Sequence, residues 1–256
     1  MSPETPASAI QVIDRAVALI DALAREPGPA SLKILSAETG LHPSTAHRIL
    51  AALSEHGLID RDSANLYRLG PRLLEWSGRV SAGQDLRQIA RPVMEWLRDQ
   101  VGESVNLTLR EGDQVVYVER AIPNRMMRVE QVIGSRAPLH VTAVGKLMLG
   151  EAGADATKEY ARRTGLRAYT VNTRAKAGTL QKDIDTSRAR GYALDDEEAE
   201  LGVGCIGVLI RDASGAAVAG LSVSAPMERR QTAWIPLVQE AGRRISARLG
   251  YQPPAA

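Results

Sequence analysis

The sequence predicts an α+β protein of two domains: a small helical domain with a β-hairpin, then a larger domain of mixed helices and strands. Three observations support this fold class. The chain has 256 residues, a length that suits two domains. Three helical segments and a hairpin pattern fill its first 70 residues. Beyond residue 100, strand-like alternation and helical periodicity follow one another along the chain.

The first two helices are marked by apolar spacing and by their ends. Apolar residues recur at helical intervals over 9–25, and the segment 26–30, EPGPA, stops that helix. Ser31 is a suitable N-cap for a short helix over 32–39, which Gly40 ends.

A longer third helix is predicted from Pro43 to His56, because proline suits a first helical turn and Gly57 follows. Short helix, glycine-containing turn and longer helix form the helix-turn-helix pattern. Two short strands, 58–61 and 66–69, are separated by the turn-forming residues DSAN and predict a hairpin, or wing. Together these segments predict a winged helix-turn-helix.

The third helix carries the expected contacts with double-stranded DNA. Its apolar side, which includes Ala46 and Leu50, should pack on the first two helices, so the opposite side faces outward. Side chains near the start of such a helix meet base edges in the major groove. The candidate contacts on this helix are Ser44, Thr45, His47 and Arg48. In the wing they are Arg61, Asn65, Tyr67 and Arg68.

Overall charge does not support DNA binding, because residues 1–80 hold eight Lys and Arg against nine Asp and Glu. The prediction therefore depends on pattern and placement. A winged helix that binds proteins and never touches DNA stays an alternative.

A second domain is expected to begin near residue 84, after a helical linker over 71–83. Its predicted helices are 84–101, 142–149, 155–164, 179–190 with Thr179 as N-cap, and 228–249. Its predicted strands are 105–109, 115–118, 126–133, 205–210 and 218–223.

Composition indicates a cytoplasmic protein. The chain has one cysteine, no apolar run long enough for a membrane span and no signal-peptide pattern at its start. No cofactor or metal motif is present in the sequence, and we expect neither group. The main alternative is a cysteine-dependent enzyme that uses Cys205 and His140. Against it, the apolar strand around Cys205 has no basic neighbour in sequence to lower the thiol pKa, and His140 fits a structural role.

Three sequence blocks, in order, resemble the IclR family of bacterial transcriptional regulators. GLHPSTAHRILAALSEHGLID (residues 40–60) and YRLGPRLLEWSGR (67–79) are similar to its DNA-binding domain. PLHVTAVGKLMLG (138–150) and RGYALDDEEAELGVGCIGVLIRDASGAAVAGLSVSAP (190–226) resemble its effector-binding domain.

This resemblance implies a winged helix-turn-helix over 1–70, a linker helix over 71–83, and a GAF-like α/β effector-binding domain over 84–256. It also implies a homodimer or a dimer of dimers, hence a homotetramer, on a near-palindromic operator. The implied function is repression of a catabolic operon, with operator binding modulated by a small organic acid. The protein is therefore expected not to be an enzyme.

The resemblance also implies an effector pocket for a small carboxylate. The matching positions are Ala143, Val144, Asp195, Cys205, Ser222 and Ser224. The amides of Ala143 and Val144 would begin a helix capped by Thr142, where a carboxylate binds well. Family members often have a smaller pair where this chain has Ala143 and Val144, which leaves the size of the effector open.

Overall fold

The computed structural model describes residues 11–76 and 85–253. The chain divides into two compact units, residues 1–84 and 85–256. Residues 72–76 are helical, but the rest of the expected linker lies outside the described residues, so the linker helix over 71–83 stays a prediction. In the described ranges, no helix is both long enough and apolar enough to cross a membrane.

The first unit is a winged helix-turn-helix, as predicted. Its elements are α1 (Gln11–Arg25), α2 (Leu32–Thr39), α3 (Pro43–Glu55), β1 (Ile59–Arg61) and β2 (Tyr67–Leu69). The two strands pair antiparallel. The core consists of buried side chains from every helix and from the wing, and Leu19, Leu35, Leu50 and Ile59 have no exposed surface. Burying one such side chain stabilises the fold by about 1.5–3 kcal/mol, so these contacts fix α3 against α1 and α2.

Local signals set the helix ends as expected. The Ser31 hydroxyl accepts a hydrogen bond from the Ile34 amide at 3.4 Å, and Gly40 ends α2 with φ of +67°. At α3, His42 is the N-cap, because its Nδ1 atom accepts a hydrogen bond from the Ser44 amide at 3.4 Å. Pro43 occupies the first helical position, where no amide donor is needed.

The second unit is built on a six-stranded antiparallel sheet with strand order β5-β4-β3-β8-β7-β6. The strands are β3 (Ser104–Glu111), β4 (Gln114–Ala121), β5 (Arg136–Pro138), β6 (Ala193–Asp196), β7 (Val203–Arg211) and β8 (Ala217–Pro226). The helices are α4 (Leu86–Val101), α5 (Ala143–Ala152), α6 (Ala154–Thr164), α7 (Ala177–Arg190) and α8 (Ile235–Arg248).

Two layers of helices cover this sheet. Helices α4 and α8 pack on it through a core that includes Leu97, Leu107, Leu221 and Ile245, all without exposed surface. Helix α5 packs on β7 and β8, and α6 and α7 pack outside α5 around Tyr160, Leu180 and Ile184. The start of α5 is thereby held against the polar part of the sheet.

Two glycines let α5 approach the sheet closely. A β-carbon at Gly207 would stand 2.8 Å from Val144 Cγ1, and one at Gly220 would stand 2.6 Å from Val144 Cβ. The Val144 side chain therefore fits against the sheet because β7 and β8 have glycine at the two positions that face it.

Three expectations about this unit were wrong, and one strand was not foreseen. Residues 126–133 form no strand, because the Ser104 hydroxyl and the Arg120 guanidinium donate to the main-chain oxygens of Val129 and Gln131 at 2.5 and 2.7 Å. Thr179 does not cap α7, which begins at Ala177; the Thr179 hydroxyl donates instead to the Lys176 carbonyl at 2.8 Å. The C-terminal helix begins at residue 235 rather than 228, and β6 was not foreseen.

Candidate functional site

A small cavity of about 140 Å³ lies in the second unit, between the start of α5 and the polar part of the sheet. Its volume is close to the ~150 Å³ of a protein cavity that holds one benzene ring. Five of the six residues expected at the effector pocket line it: Ala143, Val144, Asp195, Cys205 and Ser222. The other lining residues are Tyr117, Gln131, Ala137, Thr142, Ala199, Glu200 and Val203.

The helix start supplies hydrogen-bond donors to this cavity. The Thr142 hydroxyl accepts from the Gly145 amide at 3.1 Å, and the Thr142 carbonyl accepts from the Lys146 amide at 3.0 Å. Ala143 and Val144 come before these two amides in the first turn, where no earlier helical carbonyl is available to their N–H groups. Both residues line the cavity, so the positive end of the helix dipole lies at its wall.

Asp195 provides the buried acid of the cavity. It lies on β6 with 3% of its surface exposed, and its Oδ1 atom accepts a hydrogen bond from the Glu198 amide at 2.8 Å. Burial raises the pKa of this carboxyl to about 7, and the nearby Glu198 carboxylate acts in the same direction. Near neutral pH, Asp195 can therefore accept a hydrogen bond when ionised or donate one when protonated.

A buried ion cluster lies behind Asp195. The Lys146 ammonium is 2.5 Å from Glu198 Oε1 and 2.7 Å from Asp183 Oδ2, and the side chains of Lys146 and Glu198 have no exposed surface. This cluster joins α5 to the loop between β6 and β7, which carries the lining residues Ala199 and Glu200. It holds opposite walls of the cavity together.

Cys205 packs as part of the wall. Its Sγ atom lies 3.2 Å from the Ser224 hydroxyl, and burial raises the pKa of the thiol, so the thiol stays protonated. His140 is occupied elsewhere: Nδ1 bonds the Tyr160 hydroxyl at 2.8 Å, and Nε2 bonds the Arg167 carbonyl at 3.0 Å. The described residues therefore contain no activated Cys205–His140 pair.

Ser224 requires a correction. It lies on the same side of β8 as Ser222, because residues two apart on a strand face the same way, but it does not line the cavity. Its side chain is 1% exposed, and its hydroxyl accepts from the Asn106 amide nitrogen at 3.1 Å and contacts Cys205. These partners place Ser224 behind the wall, where it holds Cys205 in position.

Sequence reasoning missed Tyr117, Gln131 and Glu200. Tyr117 lies on β4, and burial raises the pKa of its hydroxyl. Gln131 lies in the segment that was expected to be a strand, and Glu200 lies in the loop before β7. None of the three belongs to a recognisable motif, and only Tyr117 lies on a strand of the sheet.

Helix α3 presents the predicted polar residues on its surface. Ser44, His47 and Arg48 are exposed and Thr45 is half-buried, while Leu50 points into the core. His42 Nδ1 lies 2.9 Å from the Ser44 hydroxyl, which orients that side chain at the start of the helix.

The wing agrees with expectation except at Tyr67. Arg61, Asn65 and Arg68 are exposed, and Asn65 has φ of +62° in the hairpin turn. Tyr67 is only 2% exposed, because its backbone pairs with Ala30 and its ring packs in the core of the unit. The prediction that Tyr67 contacts DNA is therefore corrected: it is a core residue, and the Arg61 guanidinium lies 5.5 Å from the centre of its ring.

These two units define the class of protein. A winged helix-turn-helix with a polar, exposed third helix is a DNA-binding unit. A second unit that encloses a small cavity with a few convergent polar groups is a small-molecule-binding unit. Together they define a DNA-binding regulator that responds to a small molecule.

Comparison with known proteins identifies the family. Residues 12–63 match the IclR helix-turn-helix domain, and residues 79–247 match the bacterial transcriptional regulator IclR C-terminal domain. The chain belongs to the IclR family of transcriptional regulators.

Three relatives show the extent of the likeness. The chain is 33% identical to the HTH-type transcriptional regulator BhcR of Paracoccus denitrificans, over 93% of this chain and 86% of that protein. It resembles the crystal structure of the Agobacterium tumefaciens repressor BlcR with a TM-score of 0.75 and 29% identity, covering 94% of this chain and 98% of the other. An IclR homologue from Microbacterium hydrocarbonoxydans, solved in complex with 4-hydroxybenzoate, shares the fold with a TM-score of 0.60 and 24% identity, covering 93% of this chain and 98% of the other.

Proposed function

We propose that this regulator is a repressor of a catabolic operon in the cytoplasm, and that a small carboxylate bound in the cavity changes its affinity for the operator. The observation that supports the proposal is that Ala143 and Val144, at the start of α5, line one small cavity together with Ser222. Backbone donors at a helix start bind carboxylates well, because the helix dipole and the unpaired amides act together.

In the proposed complex, the carboxylate accepts hydrogen bonds from the amides of Ala143 and Val144 and from Ser222. Asp195 bonds a hydroxyl or keto group on the same ligand. Cys205 contributes a small, weakly polar wall and no nucleophile. The homologue from M. hydrocarbonoxydans supports this class of ligand, since 4-hydroxybenzoate is a carboxylate that bears a hydroxyl group.

The operator is double-stranded DNA read by α3 and the wing. The proposed contacts are Ser44, Thr45, His47 and Arg48 from α3, with Arg61, Asn65 and Arg68 from the wing. Arg48 has the fork of donors that pairs with guanine or phosphate. With Tyr67 buried, the proposed wing contacts are polar and charged side chains alone.

We propose that the protein acts as a homodimer or a dimer of dimers on a near-palindromic site, because twofold proteins match twofold operators. Helix α1 supports an interface in the first unit, since its Val12, Ile13 and Val17 side chains are 57%, 56% and 49% exposed. The proposed domains are 1–70, the linker 71–83 and 84–256. An effector changes DNA affinity only if it favours one arrangement of these domains, and the linker would carry that difference.

The experiment combines a ligand screen with DNA binding. Small carboxylates are first tested for thermal stabilisation of the full chain, alongside amides and amines of matched size. Acids that stabilise it are then added to the complex with an operator selected from genomic fragments. The proposal requires that at least one acid stabilises the protein and changes operator affinity. Stabilisation by uncharged or cationic compounds alone would contradict it, and turnover of a compound would favour an enzyme.

A further inference from the structure

The charge of the cavity wall limits what can bind. All twelve lining residues belong to the described part of the chain, and none of them is Lys, Arg or His. Two carry carboxyl groups: Asp195, which is buried, and Glu200, which is exposed at the wall. The donors for an anionic ligand are therefore neutral amides and hydroxyls, while the charged groups of the wall are acidic.

Cations close to Asp195 do not bond its carboxylate. From α5, the Lys146 ammonium bonds Glu198 and Asp183. From the segment after β8, Arg230 donates to the main-chain oxygen of Asp195 at 3.1 Å and pairs with Asp196 at 2.5 Å. Lys146 favours the ionised form of Asp195 only through space.

The other groups around Asp195 act in both directions: burial and the Glu198 carboxylate favour its neutral form, whereas the main-chain amides of Glu198 and Ala199 favour its ionised form. The Glu198 carboxylate, in the loop between β6 and β7, repels a negative charge at Asp195, although the Glu198 amide donates to Oδ1. The Cys205 thiol on β7 and the Tyr117 hydroxyl on β4 both stay protonated, because burial raises their pKa values. Two carboxylates that share a buried site cannot both ionise readily, so one of them keeps a proton.

We infer that the cavity takes up a monoanionic carboxylate together with one proton from the solvent, that Asp195 holds this proton in the complex, and that dianions are disfavoured. This inference rests on the proposed function. Without ligand, an ionised Asp195 contributes one negative charge. In the complex, the ligand carries that charge and Asp195 is neutral, so the ligand carboxylate and the Asp195 carboxylate are not ionised together.

The chemistry of the bound ligand follows from this balance. A protonated Asp195 donates a hydrogen bond, so the ligand group that faces it is an acceptor, such as a keto oxygen or a hydroxyl oxygen. A second carboxylate on the ligand would meet either Asp195 or Glu200. It would need a second proton or would remain unpaired inside the cavity, which is costly.

Calorimetric titration of the full-length protein tests the inference. The probes are pyruvate, lactate and 4-hydroxybenzoate, each paired with a dianion of related shape: oxaloacetate, malate and terephthalate. Binding heats measured in two buffers with different ionisation enthalpies give the number of protons taken up. Because the pKa of Asp195 in the free protein is about 7, we expect close to one proton per ligand at pH ~8.5 and close to none at pH ~6.

The affinity for the monoanion should fall about ten-fold for each pH unit above pH ~8, as expected when one proton is bound with the ligand. Each dianion should bind at least about ten-fold more weakly than its partner, a difference of about 1.4 kcal/mol.

Two variants separate Asp195 from other sources of protons. Asp195→Asn keeps a hydrogen-bond donor and cannot titrate, so proton uptake should disappear and the affinity should become independent of pH over this range. Asp155→Asn, at a side chain 98% exposed on α6, is the matched control and should retain the wild-type proton count.

The outcomes are distinct. If a monocarboxylate binds the wild-type protein without proton uptake at high pH, or if Asp195→Asn keeps the uptake, this inference is wrong and the proposed function stands. The number of protons that the wild-type protein takes up on binding tests the inference even if Asp195→Asn does not fold. If neither these six acids nor any acid of the thermal screen binds, the carboxylate model of the proposed function fails, and the inference fails with it.

Discussion

Gly220 on β8 lies directly beneath Val144 in the first turn of α5, and a β-carbon at this glycine would stand 2.6 Å from the Val144 Cβ atom. Real β-carbons do not approach other atoms so closely, so a side chain at Gly220 must move the helix start. The position of the Ala143 and Val144 amides at the cavity therefore depends on the lack of a side chain at Gly220.

Gly220→Ala should lower the free energy of unfolding by about 1–3 kcal/mol, the usual cost of overpacking, and should weaken effector binding because the amides move. Gly178→Ala is the matched control, since a β-carbon at Gly178 in α7 meets no atom within 4 Å. It should be neutral or stabilising by about 0.4–1 kcal/mol. Denaturant unfolding and ligand titration measure both variants, and equal behaviour of the two would contradict the packing argument.

Arg48→Ala should weaken operator binding by about 1–3 kcal/mol, if its fork of donors contacts a guanine, without loss of folding. Arg162→Ala is the control. It removes the same charge from a side chain 75% exposed in the second unit, and it should leave operator affinity unchanged. Fluorescence anisotropy on the selected operator gives both affinities. Wild-type affinity for Arg48→Ala would show that this side chain does not contact the DNA.

Ser222→Ala should weaken effector binding about ten-fold or more, because a hydrogen bond to a charged group contributes about 1.5–3 kcal/mol. Ser224→Ala should act differently, since Ser224 lies behind the wall. It leaves the buried Asn106 amide without its acceptor and should lower stability by about 1–3 kcal/mol, with a smaller loss of ligand affinity. Calorimetry and thermal unfolding of both variants separate the two effects, and a reversed order would place Ser224 in contact with the ligand.

Asp195 should make stability depend on pH. Its folded pKa, about 7, lies above its ordinary value of 3.8, so the folded protein binds the proton more tightly than the unfolded chain. The contribution of Asp195 is then most favourable below pH ~4 and is lost as the pH rises through 7. We compare the free energy of unfolding of Asp195→Asn with that of the wild type at each pH. The variant minus wild-type difference should be higher at pH ~8 than at pH ~5 by about 2–3 kcal/mol. Urea unfolding of both proteins at the two pH values checks this, and an equal difference at both would contradict it.

Ile13→Asp should reduce the oligomeric state while leaving the helical content intact. Ile13 is 56% exposed on α1, so the substitution costs little inside one unit but places a charge in the proposed interface. Val171→Asp is the control, at a side chain 92% exposed in the second unit. Light scattering gives the mass of each variant; an unchanged mass for Ile13→Asp would exclude this face from the interface.

The sequence predicted best what short-range chemistry determines. Ser31, Gly40 and Pro43 act within one helical turn, and they bound α2 and α3 as expected. Thr142 likewise caps α5 through a residue three positions away. The periodic spacing of apolar residues is also a short-range feature, and it predicted most of the strands and helices.

Long-range pairing explains what was missed. Tyr67 follows the alternation of a wing strand, but its burial depends on Ala30, which is 37 positions earlier in the chain. Tyr117 reaches the cavity from β4, and Gln131 reaches it from a segment whose main-chain oxygen at Gln131 accepts a hydrogen bond from Arg120. Within the acidic run at 195–198, the family resemblance indicated Asp195, but nothing in the sequence distinguished Glu198 from its half-buried neighbours, because its partner is a lysine 52 residues away.

The buried pair of Lys146 and Glu198 also constrains how this sensor can change over evolution. Loss of Lys146 leaves the Glu198 carboxylate uncompensated in the interior, at a cost of about 3–5 kcal/mol, which is a large share of the stability of a small domain, and loss of Glu198 leaves the buried ammonium with Asp183 as its one remaining partner in the cluster. These two positions must therefore be exchanged together or kept. Ser222, Tyr117 and Gln131 on the cavity wall are under no such joint constraint and can be substituted one at a time. A lineage of such regulators can thus acquire new effectors by single substitutions at the wall while the frame that holds the wall together stays fixed.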